Sequence, residues 1–114
     1  MTTIPNWIEG FPGAVTVCDP QGIILYMNEK ATLVFAKDGG RRLIGSNLLD
    51  CHPGASREKV QALLDERKAN VYTIEKNGIK KLIYQTPWYE KDEFAGLVEL
   101  SLELPGEIPH FIRS

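Results

Sequence analysis

Phe11 to Ala31 reads FPGAVTVCDPQGIILYMNEKA, and its punctuation decides the fold. Pro12-Gly13 stops whatever precedes it, and Ala14–Cys18 is a short apolar run with two valines and a threonine, which reads as a strand. Asp19-Pro20-Gln21-Gly22 carries Asp, Pro and Gly at the first, second and fourth positions of a type I turn. That turn joins the first strand to a second at Ile23–Met27, so the two form a hairpin. Asn28 then caps a helix over Glu29–Ala36, its side-chain oxygen accepting from an otherwise unpaired backbone N–H. Ala31, Val34 and Phe35 share one face of that helix.

Outward from this unit, Pro5 opens a short N-terminal helix bearing Trp7, Ile8 and Phe11. On the other side Asp38-Gly39-Gly40 ends the helix, and between Arg41 and Gly54 the pattern predicts short helical turns that direct Leu43, Ile44, Leu48 and Leu49 inward. Ser56 caps the longest helix, with Glu58 near its positive N-terminal end and Val60, Leu63 and Leu64 as its buried stripe. Val71–Glu75 and Ile79–Tyr89 flank Asn77-Gly78, the pair that tolerates positive φ at both centres of a type I′ turn. Lys91-Asp92-Glu93 turns the chain into Gly96–Leu104. There Val98, Leu100, Leu102 and Leu104 alternate with Glu99, Ser101 and Glu103, and the apolar set is expected on the buried face. For Ile79–Tyr89 the inward set is either Leu82, Tyr84, Thr86 and Trp88 or Ile83, Gln85 and Pro87. Strand, strand, helices and three more strands make an α+β domain, with a five-stranded antiparallel sheet and helices on one face.

The chain has 114 residues, enough for one core. Its 13 basic and 15 acidic residues leave a formal charge of −2, which offers no field for nucleic acid. The longest apolar runs are too short to cross a bilayer, and Met1–Asn6 lacks the pattern of a signal peptide. The expectation is a cytoplasmic protein with Cys18 and Cys51 reduced.

Asp50-Cys51-His52-Pro53 places a thiol beside an imidazole, the chemistry of a nucleophile and its base. Adjacent residues rarely aim those groups at each other, and the other histidine, His110, lies in the tail. No catalytic residue is assigned and the chain is not read as an enzyme. Cys18, Cys51, His52 and His110 lack the paired short spacings of a structural zinc site, so no metal is assigned. Pro53 before Ser56 explains His52 as part of a helix entrance, since the residue preceding proline is held extended. Gly39-Gly40 precedes no Lys-Ser/Thr pair, which leaves nucleotide hydrolysis without support.

Over residues 11 to 104 the order of these features resembles the PAS domain, a sensory module. The resemblance rests on FPGAVTVCDPQGIILYMNEKA, LIGSNLLDCHPGASREKV, NGIKKLIYQTPW and AGLVELSLEL taken in order. It implies an N-terminal cap at 1–12, the domain at 13–104 and a tail at 105–114, with one longer central helix over the sheet. It also implies a cavity that binds a small ligand, lined by Met27, Phe35, Leu48, Cys51, His52, Val60, Leu64, Tyr72, Ile74, Tyr84, Gln85, Trp88, Val98 and Leu100. Core packing that fills the same space, leaving a structural interaction domain, is one alternative. A haem- or redox-responsive sensor using Cys51 or His52 is the other, although the helix over Ser56–Ala69 holds no histidine, and the asparagine-cysteine-arginine motif of flavin-binding relatives is absent. Pro105-Gly106 stands where many relatives continue into a signalling helix. Output is therefore expected through a homodimer, paired by Trp7, Ile8 and Phe11, or through a separate signalling protein.

Overall fold

The computed structural model describes residues 5–51 and 54–114, with the backbone alone for Cys51, Ala55 and Ser56. The chain opens with α1 (Trp7–Gly10), followed by β1 (Ala14–Cys18), β2 (Ile24–Met27) and α2 (Glu29–Val34). Three 3-10 turns, Ala36–Asp38, Gly40–Leu43 and Leu48–Cys51, lead to α3 (Ala55–Glu66), and β3 (Asn70–Lys76), β4 (Ile79–Glu90) and β5 (Glu93–Glu103) complete it. The strands form one antiparallel sheet in the order β2-β1-β5-β4-β3. The last strand lands between β1 and β4 because β1 pairs β2 on one side only, and its other edge must be closed by a strand from later in the chain.

The turn chemistry works as the sequence predicts. Asp19 accepts the N–H of Gly22 on its carbonyl at 3.0 Å, and its Oδ1 accepts from the backbones of Gln21 and Ile23, each at 2.9 Å. Gly22, at φ 89°, supplies the left-handed residue that hands the chain to β2. Asn77 and Gly78 both have positive φ, as a type I′ hairpin requires. Lys91 and Asp92, at φ 50° and 68°, make a second two-residue turn, so β5 begins at Glu93 opposite Glu90, earlier than Gly96.

Three local expectations are corrected. α2 stops at Val34 and tightens into the 3-10 turn Ala36–Asp38, which leaves Val34 exposed while Ala31 is buried and Phe35 packs on the core. The cap of α3 is Gly54 rather than Ser56; Gly54 has φ 62°, and Ser56 falls inside the helix. α3 ends at Glu66, not Ala69, because Arg67 turns left-handed at φ 55° and lays its guanidinium 4.3 Å from the centre of the Phe94 ring.

One buried side chain ties the first half together. Asn28, at 0% exposure, caps α2 through Oδ1, which accepts from Ala31 N–H at 2.9 Å and from Val15 N–H at 3.0 Å. Its Nδ2 donates to the carbonyls of Ile8 and Gly13, each at 2.9 Å. A single amide thus joins α1, β1 and α2. Around it Ala14, Ile24, Met27 and Ala31 form a buried apolar cluster. A second cluster, Cys18, Leu64 and Leu97, joins the sheet to α3.

The two sheet edges differ. β2 is covered by the 45–48 segment, which bonds it through Ile24 N–H to Ser46 and Gly45 N–H to Ile24. β3 is exposed from Val71 to Lys76.

Candidate functional site

The register fixes which side chains face the helices. Thr16 pairs Glu99, Cys18 pairs Leu97, Gln85 pairs Glu99 and Tyr72 pairs Ile83, and successive strand residues alternate faces. Since Cys18 and Leu97 pack against α3, the inner face carries Ala14, Thr16, Cys18, Leu97, Glu99, Gln85, Ile83 and Tyr72. The outer face carries Val15, Val17, Val98, Leu100, Leu102, Leu82, Tyr84 and Trp88. The expectation for β5 is therefore inverted: its apolar alternation lies outside, and Glu99 and Ser101 lie under the helices. For β4 the inward set is Ile83, Gln85 and Pro87.

Between the inner face and the helices lies a cavity of about 490 Å³. Its helix-side wall is apolar, from Phe35, Leu43, Leu48, Val60 and Leu63, joined by Ile24 and Met27 of β2; its sheet floor carries polar Thr16, Gln85 and Glu99 beside Cys18 and Leu97, with Tyr72 next to them and Asp38 also in the lining. The floor is ordered across three strands. Asn70 Nδ2 donates to Gln85 Oε1 and Gln85 Nε2 donates to Glu99 Oε2, both at 2.8 Å. Burial, with a smaller contribution from the Glu99 charge, pushes the Tyr72 phenol up from its ordinary value. Lys59 lies over the Tyr72 ring, 5.3 Å from its centre. Burial likewise pushes the Cys18 thiol up, so it stays neutral.

Met27, Phe35, Leu48, Val60, Tyr72 and Gln85 line this cavity as the resemblance implies, and Val98 joins the wall between Leu97 and Glu99 although its register position is outward. Leu64 is close by in the core and not in the lining. Ile74 lies on the exposed edge strand, away from the cavity. Tyr84, Trp88 and Leu100 are on the opposite face, because each follows or precedes an inward residue by one position. Trp88 has a structural task there: opposite Gly96, its Nε1 donates to the carbonyl of Cys18 at 3.2 Å. A Cβ on Gly96 would fall 1.8 Å from that same oxygen, which explains the glycine. His52 and the side chain of Cys51 lie outside the described residues. The sequence reading missed Thr16 and Glu99, whose polarity in a strand signals solvent unless the partner strands are known.

The strand order, the helices on one face and the cavity between them are a recognisable combination, and the sequence profile of the PAS fold matches residues 8–70, more than half of the chain. The chain belongs to the PAS-fold family. No curated protein matches this PAS domain in sequence. Among solved structures it is similar to a C-terminal domain from Streptococcus mutans, at 19% identity and a TM-score of 0.69 over 90% of each chain. It is also similar to the Aer2 receptor from Vibrio cholerae, described as a dual PAS-haem oxygen sensor, at 17% identity and TM-score 0.63, covering 86% of this chain and 99% of that one. The PAS domain of nitrogen regulation protein NR(II) from Vibrio parahaemolyticus aligns at 17% identity and TM-score 0.60, covering 90% and 100%. At these identities the likeness is one of fold. PAS domains are signal-sensing modules, and among the described residues no helix of this one is long and apolar enough to cross a membrane.

Proposed function

We propose that this PAS domain senses a small organic molecule bound in the cavity between the sheet and α3, and acts without catalysing a reaction. The observation that carries the reading is the texture of the cavity: a broad apolar wall facing a few oriented polar groups, the make-up of a selective small-molecule site. The size argues against a core that fills itself. Native mass spectrometry of freshly purified protein, with a melting screen against small metabolites, tests it. Retained extra mass, or a melting shift that Thr16→Leu removes, is the expected result; the bare chain mass with no shift for any compound overturns it.

Haem has less support from the donor set. Among the described residues no imidazole lines the cavity, and the one thiol that does, Cys18, is held neutral by burial, whereas iron takes a thiolate. A Soret band lost on His52→Ala would restore that reading.

For output, the apolar outer face and α1 are the surface offered to a second copy. Trp7, 58% exposed, stacks edge-on against Phe11 at 5.7 Å, and the Phe11 ring and Leu102 both crowd the place a Cβ on Gly13 would take. Asn28 anchors α1 through the Ile8 carbonyl, and the Ile8 side chain is half-buried beside Trp7 in sequence. Sedimentation should show a dimer that Trp7→Glu dissociates, and a native monomer would leave a separate signalling protein as the recipient.

A further inference from the structure

The charges in and around the cavity specify its ligand more narrowly. Two carboxylates line it, Asp38 and Glu99, and among the described lining residues there is no lysine, arginine or histidine. Among the described residues, the one cation that an aromatic contact brings to the lining is Lys59, held over the Tyr72 ring, while Arg41 pairs with Glu9 at 3.3 Å and Arg57 with Asp50 at 3.6 Å. Glu99 sits in mid-strand between Thr16 and Gln85. Because Asn70 holds the carbonyl of Gln85, the amide presents N–H to Glu99 and so occupies Oε2. Glu99 Oε1 has no protein donor among the described residues. An ionised carboxylate only accepts, so what completes it is a donor, and in a half-buried setting a charged donor is favoured most.

We propose that the ligand of this cavity is a monocationic amine with an apolar body, its ammonium on Glu99 Oε1 and its body against Phe35, Leu43, Leu48 and Val60. This rests on the ligand-binding reading above. A carboxylate ligand of the same shape would set its charge against Glu99 and Asp38 with no cation among the described lining residues themselves, which partial burial makes unfavourable. An alcohol could bond Glu99 but would not neutralise it. Asn70 and Gln85 act as positioning residues, since neither needs to touch the ligand.

The test uses three compounds with one apolar body and different heads: phenethylamine, phenethyl alcohol and phenylacetate, each titrated into the native protein near pH 7 while amide resonances of Thr16, Gln85 and Leu97 are followed by NMR. Phenethylamine should bind at least about tenfold more tightly than phenylacetate, as a charge-assisted bond replaces a like-charge contact. In Glu99→Gln the amine's lead over the alcohol should fall to within about threefold, with the alcohol's own affinity kept. Phenylacetate equal to or tighter than the amine in the native protein overturns the inference and leaves the cavity a binding site. If none of the three moves those resonances, this inference falls, while the ligand-binding reading stands or falls on the wider melting screen. The amine-to-acid ratio needs no variant, so the inference stays falsifiable if Glu99→Gln does not fold.

Discussion

The two ends of the inner sheet face are built on opposite terms. Where β1 and β2 meet α2, Asn28 spends both ends of its amide on five backbone partners, and buried Ala14 and Ala31 pack beside it. Where β4, β5 and the middle of β1 face α3, polar Thr16, Gln85 and Glu99 stand under apolar helix residues, and about 490 Å³ stays unfilled. The first arrangement fixes how helices and strands meet; the second leaves room for something the chain does not supply. A sensor needs both, because a cavity can report its contents only against a frame that does not yield.

Asn28→Ala should break the comparison most severely. It removes the side-chain acceptor of the Val15 and Ala31 N–H groups and the donor to the Ile8 and Gly13 carbonyls, and a loss of about 3–5 kcal/mol is expected in urea unfolding. Next, matched truncations should separate the ends. Val15→Ala removes a buried side chain beside Asn28 that lines no cavity and should lose about 2–3 kcal/mol, whereas Val60→Ala enlarges an existing space and should lose about 1 kcal/mol. Equal losses would mean that the cavity is as tightly packed as the Asn28 end. Thr16→Leu, which grows into the cavity, should leave stability within about 1 kcal/mol of the parent while abolishing small-molecule binding in the same melting screen.

The smallest effect lies in alkaline solution. The Tyr72 phenol is pushed up by burial and by Glu99, so the folded state holds its proton more firmly than the unfolded state does. That contribution is whole below the ordinary tyrosine value, near 10, and is lost as pH rises through the raised one. Urea midpoints from pH 8 to pH 11 should therefore fall more gently in Tyr72→Phe than in the parent, and parallel curves would show that Tyr72 titrates as if free.

Much of this architecture is legible in local chemistry. Asp19 and Gly22 specify one turn and Asn77-Gly78 another, Asn28 announces a cap, and runs of β-branched residues mark the strands, because each depends on residues within a few positions of each other. Asn28's cap to Ala31 belongs to this class, but its bonds to Ile8, Gly13 and Val15 do not. They span 13 to 20 positions and exist only once β1 lies beside α1.

The candidate site was read only in half for the same reason. Met27, Phe35, Leu48 and Val60 were legible because an apolar stripe on a short helix or strand has one place to go. β5 was not: Val98, Leu100 and Leu102 alternating with Glu99 and Ser101 establish that its two faces differ, and a period of two carries no sign. By itself the sequence determined the strands, the turns, the helix cap and, through their order, the PAS fold. The tertiary structure alone decided which face of β5 and β4 turns inward, since that depends on pairing Glu99 with Thr16 and Gln85 from distant strands. With that choice a row of residues that resembles a wetted surface became the polar floor of a cavity.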